Sequence, residues 1–84
     1  EWKDNDTLYM TADGKDGSVL LVNTGNIFAN NQEYDEAEKR YRRAIQIREQ
    51  SVLAHHNLGL IFLIKENYDS AEIMIKKGIL IDSL

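Results

Sequence analysis

Tandem antiparallel helix–turn–helix hairpins in an all-α chain, behind a short irregular or hairpin arm, are the fold this 84-residue sequence predicts. Three observations predict it. First, "EYDEAEKRYRRAI" at residues 33–45 returns as "NYDSAEIMIKKGI" at 67–79, with Tyr34, Asp35, Ala37, Glu38 and Ile45 each recurring thirty-four positions later. A fixed period of this length marks one supersecondary unit used again. Second, apolar residues recur at helical spacing from Ser18 onward; Ala37, Tyr41, Ala44 and Ile45 make one such stripe. Third, the breaks between the patterned stretches are short, which makes consecutive helices antiparallel neighbours.

The elements follow in order. Residues 1–17 hold five acids, two lysines and two glycines without a helical apolar stripe. "ADGKDGS" is turn chemistry, because Asp and Gly tolerate the left-handed backbone of a tight reversal. "TLYMT" and "SVLLV" on either side can pair as a hairpin, and a disordered arm is the competing reading. Four helices are predicted over 18–31, 35–49, 52–66 and 69–82, with breaks at "NNQE", Gln50-Ser51 and "EN". In the second helix the acids Glu33, Asp35, Glu36 and Glu38 come before the arginines, an order that suits the helix dipole. The chain therefore divides into an arm at 1–17, a first hairpin unit at 18–51 and a second at 52–84.

The pattern inside the two copies resembles the tetratricopeptide repeat family, a thirty-four-residue helix–turn–helix with Leu-Gly, aromatic and small residues at set intervals. The second copy carries "NLGLIF", with Leu58, Gly59 and Phe62, then Tyr68, Ala71 and Gly78. The first copy matches with Gly25, Phe28, Tyr34, Ala37, Tyr41 and Ala44. A glycine inside a helix costs roughly 1 kcal/mol against alanine, so Gly25 and Gly59 are read as places where two helices approach closely. Ala37, Ala44, Ala71 and Gly78 are expected to face them, while Phe28, Phe62, Tyr34 and Tyr68 fill the remaining space. There are departures: Thr24 replaces the usual leucine, and Leu21 and His55 stand where tryptophan is common. Glu49 and Ser83 replace a proline, so both second helices are expected to run slightly longer.

The resemblance implies an α-solenoid whose concave face, lined by the first helix of each hairpin, holds a partner. The groove residues it implies are Val19, Val22, Asn26, Ala29 and Asn30, then Leu53, His56, Leu60, Leu63 and Ile64. The apolar ones would bury a partner's helix or peptide, with Asn26, Asn30 and His56 orienting it. Asn26 and Asn57 coincide with two asparagines that some members use to grip a partner's terminal carboxylate. Val22 stands where those members carry lysine, so a carboxylate clamp is not expected. The second copy's helices, in "LGLIFLI" and "GILI", are apolar nearly all round, which signals burial on every side. A following repeat, the acidic arm, a second copy of the chain or a ligand helix would each cover them. Two repeats are also fewer than the three generally needed, so a longer parent array or an obligate partner is expected.

Composition narrows the chemistry. Hydrophobic residues at 43% and charged residues at 29% fit a globular domain, and no apolar run is long enough to span a bilayer. Without cysteine there are no disulfides or thiolate sites, which fits an intracellular protein, cytoplasmic or nuclear. His55 and His56 are adjacent and diverge by about 100° on a helix, so they do not chelate one ion together. Their expected places are one half-buried and one in the groove. "DGKDGSV" fails as a calcium loop, since Ala12, Gly14 and Asn23 would fall on ligand positions. No catalytic residue, metal or cofactor is expected. The stripe Lys39, Arg40, Arg42, Arg43 and Arg48 raises RNA binding as an alternative function, and a homodimer is a further one. Residues 33–50 carry five acids against these five bases, so a solvated outer face is the favoured reading and nucleic acid an improbable partner.

Overall fold

The computed structural model describes residues 17–83, and among these the fold is four helices: α1 Ser18–Asn30, α2 Tyr34–Ile47, α3 Val52–Ile64 and α4 Tyr68–Asp82. Helices α1 and α2 form one antiparallel hairpin, α3 and α4 the next, and α3 packs on both α2 and α1. The expected all-α hairpin architecture is what the described residues adopt. The arm expected at 1–17 lies outside the described residues save for Gly17.

Each hairpin turns by the same device. At the end of α1, Gln32 takes a left-handed backbone (φ 65°), and Glu66 does so after α3 (φ 63°). The following amides then reach back, Glu33 N–H to the Phe28 carbonyl and Asn67 N–H to the Phe62 carbonyl, both at 2.8 Å. Gln32 N–H to Ala29 and Glu66 N–H to Leu63, each at 3.0 Å, complete a Schellman closure that satisfies otherwise orphaned carbonyls. Glycine is the usual occupant of such a position. Neither copy has one, so sequence alone ran the first and third helices one or two residues too far.

Helix α3 starts where Ser51 accepts a hydrogen bond from the Ala54 amide at 3.1 Å, a side-chain cap typical of serine. Helix α2 opens with Asp35 and Glu36 in its first turn and no side-chain cap. It ends at Ile47, because Arg48 is extended (φ −136°, ψ 97°). The longer second helix expected from the missing proline does not form there; the chain leaves the helix to cross to the next hairpin.

One core runs through both hairpins, built from Leu21, Val22, Ala37, Tyr41, Ala44, Ala54, Leu58, Ile61, Phe62 and Ala71. Gly25 and Gly59 stand at close approaches, but the nearest side chains are Tyr41 and Ile75 rather than the small residues expected to face them, and Ala71 meets Gly59 only through its carbonyl. A Cβ on Gly25 would lie 2.6 Å from the Tyr41 ring, and one on Gly59 would lie 2.7 Å from Ile75 Cγ1. Gly78 is looser, with His55 Cβ and the Val52 carbonyl at 3.7 Å. Phe62 is buried and Phe28 and Tyr34 pack against the core. Tyr68 does not fill space as expected: it is 62% exposed, because no described helix lies over α4 as α3 lies over α2.

Candidate partner-binding groove

The first helix of each hairpin supplies the groove, and the helical repeat sets which side chains enter it. Asn26, Ala29 and Asn30 from α1 meet Leu60 and Ile64 from α3 around a cavity of about 410 Å³. Three residues not assigned to the groove from sequence complete it: Tyr41 from α2, and Asn57 and Ile61 from α3. Tyr41 and Ile61 read as ordinary core from their spacing. Their cavity edges appear only once α3 is placed against α1.

The floor is polar. Asn26 Oδ1 accepts from the Tyr41 hydroxyl and from Asn57 Nδ2, the latter at 3.1 Å. Burial pushes the Tyr41 phenol above its usual range, which keeps the hydroxyl protonated as a donor. With the Asn26 oxygen engaged twice and Asn57 Nδ2 donating to it, the groups this pair has left to offer are the Asn26 amide NH₂ and the Asn57 carbonyl oxygen. Donor and acceptor side by side match the two halves of a peptide bond. The walls, from Ala29, Leu60, Ile61 and Ile64, are apolar, and no carboxylate or cation lines the cavity.

The other residues assigned to the groove separate from it. Val22 is buried, not groove-facing. Ser18, Leu21, Val22 and Gly25 are all buried on α1, a stripe wide enough to draw Val22 into the core. Leu53 and His56 line a smaller cleft of about 150 Å³ with Val52, Ile75, Gly78, Ile79 and Asp82. Val19 and Leu63 are exposed and line neither cavity. His55 is more buried than expected, at 4% exposure, and its Nδ1 lies 2.8 Å from the Ser51 carbonyl oxygen.

The arginine-rich face of α2 is occupied from within. Lys39 and Arg40 approach Glu36 at 3.6 and 3.8 Å, and Arg42 bonds Glu38 at 2.8 Å. Arg40 lies over the Phe28 ring at 5.2 Å and Arg42 over the Phe62 ring at 5.5 Å. Arg43 donates to Gln46 at 3.1 Å. Across the hairpins, Lys65 donates to Asp35 at 2.5 Å and to Glu38 at 2.8 Å. That hydrogen bond and the Lys65 charge hold Asp35 below the usual carboxylate range. For Glu38, burial is the largest influence and pushes upward, but bonds from Lys65 and Arg42 together outweigh it. Lys65 is raised in turn, chiefly by Asp35 and then Glu38. Among the described residues no group of three or more His, Asp or Glu side chains is gathered to hold a metal ion. No described helix is long and apolar enough to cross a membrane.

Two hairpins in phase, sharing one core and opening a groove between their first helices, define a helical-repeat protein. Family patterns agree: one described as TPR repeat matches residues 25–65, and one described as Tetratricopeptide repeat matches residues 52–83. The chain belongs to the tetratricopeptide repeat family, whose members are generally non-enzymatic protein-interaction modules. It is similar to the Hsp70-Hsp90 organising protein of Plasmodium falciparum (isolate 3D7), with 38% identity over 47 residues. That alignment covers 56% of this chain and 8% of the relative's length. No solved structure matches it significantly.

Proposed function

We propose that this protein is a non-catalytic interaction scaffold that seats an extended, uncharged apolar segment of a partner protein in the groove between α1 and α3. The observation that carries this reading is the cavity itself: apolar walls over a floor where Asn26 offers an amide donor and Asn57 an acceptor. An extended segment has free backbone N–H and C=O groups to meet that pair, whereas a helix has already used its own. The wall residues then take alternate side chains of the segment. Family membership supports a protein-binding role, as does likeness to a relative named for organising Hsp70 and Hsp90.

Selection from a displayed random-peptide library on the whole chain tests the idea. Enrichment of apolar peptides with few charges is expected, with binding lost in Leu60→Asp plus Ile64→Asp and weakened in Asn57→Ala. Because the groove is uncharged, affinity should change little between low and physiological salt. Enrichment of acidic or basic peptides, or binding that survives the paired Asp substitutions, would refute the groove as the binding surface.

A further inference from the structure

At one core position the two copies carry different chemistry: Leu21 in α1 and His55 in α3, 2% and 4% exposed. An imidazole brings two nitrogens where leucine brings none. His55 Nδ1 lies 2.8 Å from the Ser51 carbonyl oxygen. A carbonyl oxygen only accepts, so Nδ1 carries the proton and Nε2 is left as an acceptor. Among the described residues no group bonds Nε2. The one partnerless side-chain polar atom wholly shut from solvent among them is Arg40 Nε, so Nε2 keeps a narrow opening.

His55 lines a cleft of about 350 Å³ where the two hairpins meet. Ile45 and Glu49 bound it from the end of the first hairpin, and Lys77, Leu80 and Ile81 from α4. It shares no residue with the groove between α1 and α3. Nor is it a face that a further hairpin would close. Leu80 stands where the first copy has Gln46, and Gln46 is exposed even though α3 lies over α2. A hairpin following in the same way would leave Leu80 open too. At this solvent-facing position the second copy thus places an apolar side chain, 64% exposed, at the edge of the cleft.

We infer that this cleft is a second binding site, which takes an indole ring through a hydrogen bond from the indole N–H to His55 Nε2. Size favours two fused rings: a cavity of about 150 Å³ holds one benzene, and this one is about 350 Å³. Ile45, Leu80 and Ile81 supply the apolar walls that such a ring needs. The indole nitrogen is a donor only, so a single acceptor satisfies it and no polar atom of the ring is buried unmet. One carboxylate, Glu49, and one ammonium, Lys77, line the cleft, and their opposite charges give a charged ligand no advantage. The ring can arrive as a partner's tryptophan side chain or on a free small molecule. The site is separate from the groove, so it stands or falls independently of the function proposed there.

The probes are indole and 1-methylindole, titrated into the ¹⁵N-labelled whole chain and followed by NMR. Indole should give saturable shifts at the Lys77, Leu80 and Ile81 amides. 1-Methylindole has the same rings without the donor and should bind on the order of tenfold more weakly. His55→Leu installs the residue that the first copy carries there, and circular dichroism checks that it folds. In that variant the preference for indole over 1-methylindole should vanish. Leu80→Gln should weaken both probes alike and leave their ratio unchanged. N-acetyltryptophanamide binding at least as tightly as indole would support a partner's tryptophan as the source of the ring. Binding of indole with exclusion of that amide would support a free small molecule. Absence of saturable shifts overturns the proposal, and so does a preference for indole that survives His55→Leu. Shifts confined to Asn57, Leu60 and Ile64 would also overturn it, by placing the ring in the groove.

Discussion

Replacing Gly25 by alanine sets two opposed effects against each other in the middle of α1. Alanine is favoured over glycine in a helix by about 1 kcal/mol, so an exposed site would be stabilised. At Gly25 the new Cβ would stand 2.6, 2.9 and 3.0 Å from Cε1, Cδ1 and Cζ of Tyr41, where carbon atoms ordinarily rest at about 3.5–4.0 Å. The ring has nowhere to retreat: Tyr41 is 2% exposed and its hydroxyl is tied to Asn26. Overpacking of this kind costs about 1–3 kcal/mol. The net expectation is a loss of about 1 kcal/mol, a fall in Tm of roughly 4–8 °C for a domain of this size. Urea unfolding followed by circular dichroism measures it. The same substitution in a Tyr41→Leu background removes the ring carbons, and there alanine should stabilise. An increase in the urea midpoint for Gly25→Ala alone would refute the argument. An equal penalty in both backgrounds would do so as well, because the ring would then not be its source.

Gln32→Gly and Glu66→Gly should each stabilise the fold. The left-handed backbone costs a non-glycine residue roughly 1–2 kcal/mol and glycine's looser unfolded chain returns about 0.4–1, so urea midpoints should rise. Tyr41→Phe should cost about 1 kcal/mol through the lost bond to Asn26, and it should weaken any peptide held in the groove. The Lys65 bridge predicts a pH dependence. Asp35 and Glu38 are depressed on folding, so their contribution is present above the ordinary carboxylate range and is lost as pH falls through their lowered folded values. Lys65 is raised, so its contribution is present below its ordinary value of about 10.4 and is lost as pH rises through the folded one. The stability difference between the protein and Lys65→Met should therefore be flat from about pH 5 to 10 and shrink at both ends. A difference that persists unchanged to pH 2 would show that the bridge does not act through these charges.

The helices and their pairing were legible because they depend on patterns within a single turn or two. Ala37, Tyr41 and Ala44 announce one face of α2, and Gly25 and Gly59 announce close approach, whatever lies further along the chain. About half of the groove was legible for the same reason: Asn26, Ala29, Asn30, Leu60 and Ile64 do converge. Val22 did not, since its place depends on how wide a stripe the rest of the fold covers. Asn57 and Tyr41 entered because an acceptor on α1 happens to lie within reach of both.

Taken alone, the thirty-four-residue period determined that this chain is two copies of one helical hairpin and that small residues mark the crossings. Tertiary structure decided what each copy of a repeated residue does. Tyr34 packs and Tyr68 is bare; Glu38 is held by Lys65 and its counterpart Glu72 faces solvent. Helical periodicity states which way a side chain points along its own helix. Whether another helix lies there to meet it is a non-local fact, and it separates two sequences that read alike.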